Sequence, residues 1–422
     1  MVIKNFDQLA KTALRKKALQ IAEAGYESIR VDKLIPSNIK LDGDALNISS
    51  SEYDLKQYDK IYIAGIGKGS ALATYELEKI LGDRIVDGHV IDIQKGKHKI
   101  IKSHIGTHPL PSEANQKATE EMIAMLRKAT EKDLVLTIIC GGGSSLACKP
   151  GGLSCLEMQF ITKILLMAGA TIQEINILRK HVSMIHGGHI AEFVYPAKLV
   201  SLIFSDVPGD DPSVISSGPT VLDKSTRQQA VDIAKKYKLP DFKCLETPKD
   251  PKYFKNVDNI LLASGKTVVE AMRAKAEELG FKPRIIDTEL QGHANEVGPM
   301  LAKEAKAGEA ILAAGETEVI VSHPGKGGRN QDVVLSSISN LTPESVILSL
   351  ASDGKDNVEV AGAIADSNYT KEELAKINED PMSYVNMNNS FVLLDKLKDH
   401  VFINPVTVNV SDFMLVLKTD AT

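Results

Sequence analysis

The sequence predicts an α/β protein of two domains, organised around a largely parallel sheet flanked by helices. Three observations carry this. Short β-branched runs alternate with helical patterns along the chain, as successive strand–helix units require. At 422 residues the chain is longer than one hydrophobic core usually holds. A polar stretch at 235–256, with three prolines and many lysines, interrupts the rhythm, and places the domains at 1–240 and 257–422.

The elements follow in order. The charged N-terminus, MVIKNFDQLAKTALRKKALQIAEAG, reads as an amphipathic helix and lacks the apolar centre of a signal peptide. Residues 61–64, 86–93, 134–140 and 199–204 read as strands, with helical stretches at 71–81 and 113–130. After the polar stretch come strands at 260–263, 284–287, 310–313, 319–322 and 346–351, with a helix at 268–279. The alternating tail at 412–418 reads as a last strand that returns to either domain.

Composition narrows the function. Hydrophobic content of 43% with 25% charged residues is that of a soluble globular protein. A net charge of −5 without basic patches argues against a nucleic-acid partner, and the absence of Trp with 5% aromatics leaves no base-stacking platform. The longest apolar run, 134–140, is far too short to cross a bilayer. Cys140, Cys148, Cys155 and Cys244 show no C-x-x-C spacing and so no zinc framework. A reduced, cytoplasmic chain is expected.

Glycine-rich segments carry the chemistry. In IYIAGIGKGS a strand runs into Gly65, Gly67 and Gly69 and then a helix, with Lys68 adding a charge where free N–H groups favour an anion. The same segment comes close to G-x-G-x-x-G, and Asp92 falls where a ribose-binding acid is expected, so a dinucleotide site is a rival reading. In CGGGSSL, the backbone of Gly142 and Gly143 with the hydroxyls of Ser144 and Ser145 can cradle a carboxylate or phosphate. In PGKGGRNQD, Gly325, Lys326, Gly327 and Gly328 precede Arg329 at a helix start, a combination suited to a polyphosphate. Arg179 lies in a helical stretch from which it can reach a substrate carboxylate.

Acids cluster at strand ends. Asp206, Asp210 and Asp211 follow the strand at 199–204, and Asp353 follows 346–351. Such carboxylates suit a hard divalent cation or a base facing a substrate hydroxyl.

Taken together, IAGIGKGS, THPLPSEAN, CGGGSS, GATIQEINILRKHVSMIHGG, SDVPGDDPSVISSGPT, AGETEVIV with PGKGGRNQD, and SDGKDN resemble, in this order, the MOFRL-domain (class II) glycerate 2-kinases. The resemblance spans roughly residues 18–362. It implies a Rossmann-like N-terminal domain, a smaller α/β C-terminal domain and an active site in the cleft between them. It also implies phosphorylation of D-glycerate by ATP with Mg²⁺ or another divalent cation, at the 2-hydroxyl, as in branched or non-phosphorylated sugar-acid routes. By position the family's catalytic lysine, strand-end aspartate and glycine-loop arginine fall on Lys68, Asp206 and Arg329. SDGKDNVEVAG departs from the family's T-D-G-x-D-G-P-T-D-A-A-G, and Ser264-Gly265-Lys266-Thr267 stands where G-D-N is common.

The expected chemistry is in-line phosphoryl transfer, accelerated by positioning and charge neutralisation. Asp206 takes or orients the hydroxyl proton, Lys68 and Arg329 stabilise the phosphoryl oxygens, and Asp210, Asp211 or Asp353 holds the cation. Gly65, Gly67 and Gly325–Gly328 serve the nucleotide, while Gly142, Gly143, Ser144, Ser145 and Arg179 serve glycerate. The expected assembly is a monomer or homodimer. Two alternatives stay open: an NAD(P)-dependent hydroxy-acid dehydrogenase using Gly65, Gly67 and Asp92, and a small-ligand-binding protein without turnover.

Overall fold

The β-branched runs become two six-stranded sheets in the computed structural model, which describes residues 1–419. The first unit comprises Leu34–Asp206 and Asp210–Leu262. It opens with an antiparallel meander, β1 (Ile39–Asp42), β2 (Ala45–Ile48) and β3 (Ser51–Asp54). Its main sheet is built from β4 (Lys60–Ile66), β5 (Ile85–Asp92), β6 (Lys102–Ile105), β7 (Asp133–Ile139), β8 (Lys198–Phe204) and β9 (Val257–Ala263).

The spatial order is β6-β5-β4-β7-β8-β9, and the five strands from β6 to β8 run parallel. The central β7 is buried along its whole length, as a strand covered on both faces must be. From β4 the chain first winds outward through β5 and β6, then returns to place β7 on the other side of β4. That reversal opens a crevice at the carboxyl ends of β4 and β7, where open parallel sheets bind their ligands.

The second unit comprises Met1–Lys33, Val207–Gly209 and Ala263–Thr422. Its sheet contains β10 (Lys282–Leu290), β11 (Glu309–Gly315), β12 (Ser345–Ala351), β13 (Gly362–Asp366), β14 (His400–Val401) and β15 (Asp412–Lys418), in the order β10-β11-β15-β12-β13-β14. Only β10 and β11 pair in parallel; the remaining pairs are antiparallel. The tail strand β15 thus lies in the middle of this sheet.

Three expectations change. The first 33 residues belong with the C-terminal unit, not with 1–240. The helix Ala13–Ser28, capped by Thr12, sets Tyr26 edge-on against Phe413 at 4.8 Å. It also buries Arg15 between Asp366 and Asp399. Amphipathic spacing announces such a helix but not which sheet will cover it. The division also falls later than 257, because β9 completes the first sheet; positions 420–422 of the expected 257–422 domain lie outside the described residues. Residues 319–322 form no strand: Ile320 and Val321 are 71% and 77% exposed and find no partner strand. Among the described residues no helix is long and apolar enough to cross a membrane.

Candidate active site

In the first unit β4 and β7 run side by side into their glycine turns. At Gly67, φ is +111°, and a Cβ there would collide with the Cys140 carbonyl, so glycine is what lets the two turns touch. The Lys68 N–H donates to Gly141 O at 2.9 Å and the Cys140 N–H to Ile66 O at 2.8 Å. The Lys68 stem and the His108 ring both flank Gly142. Gly65, inside β4, packs on Val90 and Thr74.

The helix start beyond this turn is already capped. Asp92, 2% exposed, accepts from the Ala71 N–H at 2.9 Å and the Ile93 N–H at 2.6 Å. Its carboxylate takes the place at the head of Ser70–Leu81 where a dinucleotide's pyrophosphate would sit. Burial raises it above the usual carboxylate range. Asp92 therefore cannot serve as the ribose acid of the dehydrogenase alternative.

Beside β7 lies a different kind of group. Arg179, on the helix Ile172–His181, is half-buried, and no carboxylate among the described residues pairs with it. Desolvation pulls its pKa down to about 10. Its Nη1 donates to Asn176 Oδ1 at 3.3 Å, which also accepts from Ser217 Oγ at 3.1 Å. Ser217 Oγ in turn meets Ser144 Oγ at 2.9 Å. The structure thus brings Ser144 and Arg179 into one network, through two residues that sequence reasoning missed.

Ser216 and Ser217 hold φ of +48° and +56°, a left-handed conformation that costs non-glycine residues about 1 kcal/mol or more. The Ser216 hydroxyl donates to Cys140 O at 2.7 Å, tying this strained turn to the end of β7. Behind it, His186 bonds Ser183 Oγ through Nδ1 at 2.8 Å. Burial, then Arg179, lowers its pKa to about 3, so the ring is neutral. Ser145 flanks the network, and its carbonyl accepts from Asn115.

Asp206 lies just beyond β8, where it adds to burial and to Asp92 in raising the Cys140 thiol. Asp211 Oδ1 accepts from the Ser213 N–H at 2.8 Å, opening the turn that carries Ser216 and Ser217. Asp210 sits at φ +51° on the same loop. Asp353, in the second unit, accepts from the Lys355 N–H at 3.0 Å. None of Asp210, Asp211 and Asp353 belongs to a ready cage: among the described residues the one convergent trio is His89, His104 and Glu121, where a direct ring–ring hydrogen bond of 2.9 Å joins the histidines. Carboxylate oxygens are nonetheless the right donors for Mg²⁺, which keeps several waters and reaches its site on substrate phosphates.

The glycine loop of the second unit differs from expectation. A Cβ on Gly328 would collide with Asp356, whose carboxylate accepts from the Asn330 and Gln331 N–H groups at 3.1 and 3.0 Å. The start of Arg329–Ser337, expected to face a polyphosphate, is therefore capped from within. Gly325 and Gly327 pack against Asn388 and Ser390, and the Lys326 ammonium sits 3.6 Å from the Phe391 ring centroid. Arg329 is held by two acids: Asp412 at 2.5 and 3.2 Å, and Glu316 at 3.0 and 2.8 Å. Burial works against its charge, but Asp412 and Glu316 outweigh this and raise its pKa.

Comparison with known proteins agrees with both halves. The model of the MOFRL family matches residues 309–412, and a domain of unknown function, DUF4147, matches 17–245. A D-glycerate 2-kinase of Thermotoga maritima is 34% identical, covering 96% of this chain and 98% of its own. The crystal structure of a glycerate kinase from Thermotoga maritima superposes with a TM-score of 0.85 at 31% identity, over 96% of this chain and all of that one. The chain belongs to the MOFRL-domain glycerate kinase family. A putative hydroxypyruvate reductase of Agrobacterium vitis is also similar, at 35% identity over 84% of this chain and 86% of its own.

Within this glycerate kinase family member, the unforeseen site residues left signals in the sequence. Asn176 stands three residues before Arg179, on the same helical face. Glu316 follows β11 directly, and Asp412 opens β15. Ser216 and Ser217 sit beside the glycine of SSGPT, where a tight left-handed turn was legible in principle.

Proposed function

We propose that this chain transfers the γ-phosphoryl group of ATP to the 2-hydroxyl of D-glycerate, giving 2-phosphoglycerate and ADP. The observation that carries the reading is Arg179: a desolvated guanidinium without an acid partner, joined through Asn176 and Ser217 to Ser144. A half-buried, desolvated cation in that state calls for an anion, and a guanidinium with hydroxyls beside it suits a carboxylate. The hydride-transfer reading suggested by the hydroxypyruvate reductase name among the relatives needs a ribose acid, and Asp92 is committed to the helix it caps.

In this reading Arg179, Ser144 and Ser145, with the Gly142–Gly143 backbone, hold the glycerate carboxylate. Asp206 orients the hydroxyl and accepts its proton late in the transfer. Lys68 neutralises charge on the phosphoryl oxygens, a role also proposed for Arg329, which Glu316 and Asp412 orient. Asp210, Asp211 or Asp353 would ligate Mg²⁺, whose chemistry is to offset the phosphate charge. With Asp356 already capping the helix behind the loop Gly325–Gly328, Lys326 is the group of that loop left to meet the nucleotide phosphates. The compartment is the cytoplasm, and the working form is a monomer or homodimer.

The test is a coupled assay with D-glycerate, ATP and Mg²⁺. ADP should appear, and enolase should consume the product directly, since it accepts the 2-phosphate. ADP release with no enolase turnover would reassign the position of transfer. NADH oxidation with hydroxypyruvate, and no ADP, would overturn the kinase.

A further inference from the structure

A pocket of about 260 Å³ opens in the second unit beyond the carboxyl ends of β10 and β11, lined by residues that include His293, Glu318, Val319, Ile320, Asp332 and Val385. Two of its polar atoms are unmet. Asp332 is 3% exposed; the Ser390 hydroxyl faces its carboxylate, but among the described residues no donor meets its Oδ1 at full hydrogen-bond geometry. The Nδ1 of His293 is likewise buried without a partner. Native proteins seldom leave such atoms unpaired, so the Asp332 oxygen points to an N–H or O–H group supplied by a ligand, and the His293 nitrogen to a polar partner that its tautomer decides.

The rest of the pocket restricts that ligand. Val319, Val385 and the exposed Ile320 give it apolar walls. Glu296, Glu318 and Asp332 make it acidic, which repels a phosphate. Its volume is several times the roughly 30 Å³ share of a single water, far more than a bare cation needs. Apolar faces with a hydrogen-donating edge describe a flat amino-substituted ring.

Its position says where the ring comes from. Asn388 accepts from the Ser322 and His323 N–H groups at 2.8 and 3.0 Å and donates to Ile320 O at 3.0 Å, so it holds the pocket wall. The carbonyl of the same residue packs on Gly325 of the glycine loop. Asp332 lies one turn beyond Arg329 on the helix that this loop opens.

We propose that this pocket receives the aminopurine base of the nucleotide, with Asp332 accepting from its exocyclic amine, an inference that rests on ATP being the phosphoryl donor. Calorimetric titration of the full chain with ADP and with IDP, in the absence of glycerate, tests it. IDP carries a carbonyl where ADP carries the amine and would set oxygen against the Asp332 carboxylate. ADP should bind about tenfold or more tightly, Asp332→Asn should shrink that preference to about threefold or less, and Ile320→Ala should weaken both nucleotides together.

Equal binding of ADP and IDP to the unaltered chain overturns the proposal, as does a preference untouched by Asp332→Asn. Turnover of glycerate without base preference removes the pocket and leaves the kinase standing. A preference abolished by Asp332→Asn without any turnover does the reverse.

Discussion

Arg179 and Arg329 are the same residue in opposite settings. Arg329 lies between Asp412 and Glu316, which raise its pKa against the cost of burial. Arg179 has desolvation alone, and its pKa falls to about 10. A guanidinium with its carboxylates already in place is an orienting and structural element that reaches a ligand only with what its partners leave. A guanidinium without them stores a desolvation cost that a bound anion relieves. On the proposed reading the first unit therefore holds the anion receptor, while the second holds a preassembled ion cluster.

Removing each arginine should have opposite signatures. Arg329→Ala leaves Asp412 buried and unpaired, which costs about 3–5 kcal/mol and should lower the denaturation midpoint markedly. Adding Asp412→Asn should restore much of the loss, since the isolated charge is then gone. If Arg329→Ala alone unfolds at the original midpoint, the cluster is not structural. Arg179→Ala should leave the midpoint unchanged or slightly higher, because it deletes an uncompensated charge. Its effect belongs to KM for D-glycerate, raised about 10²-fold for a lost charge-assisted pair; an unchanged KM removes the receptor role.

What the sequence made legible follows the same division. The strand–turn–helix units, the glycine turns with Lys68, and the acids after β8 are local patterns, written in contiguous residues with period and punctuation. Arg179 was recognisable as a candidate, but its lack of a partner was not, since an absence is visible only once the neighbours are known. The pairing of Arg329 with Asp412 joins positions 83 residues apart. The caps Asp92 and Asp356 come from strands or loops 21 and 26 residues beyond the N–H groups of Ala71 and Asn330 that they cap. Non-local carboxylates decide whether a glycine loop faces a phosphate or its own acid, and no spacing rule encodes them.

A smaller effect should appear at Asp332, whose buried carboxyl is pushed up to about 6, chiefly by desolvation. The unfolded value is about 3.9. Between the two the folded chain holds a proton that the unfolded chain has lost, so this group's contribution is full below about pH 4 and disappears as pH rises through about 6. Asp332→Asn removes that slope. The variant should gain on the parent chain by about 2 kcal/mol between pH 4 and pH 7, allowing for some solvent screening at the pocket wall. Parallel stability–pH curves for the two proteins would contradict the burial.

The finest distinction concerns Ser217, which combines a bridging hydroxyl with a strained backbone. Its hydroxyl links Asn176 to Ser144, and its φ of +56° is one that glycine adopts without cost. Ser217→Ala keeps the strain and loses the hydroxyl; Ser217→Gly loses both. The two should therefore raise KM for D-glycerate alike, by roughly fivefold for one neutral hydrogen bond of about 1 kcal/mol. They should differ in stability, with the glycine variant more stable than the alanine variant by about 1 kcal/mol. If KM instead follows stability, rising in one variant and not the other, then the turn acts on the receptor through its backbone, and the path from Arg179 to Ser144 does not depend on the hydroxyl.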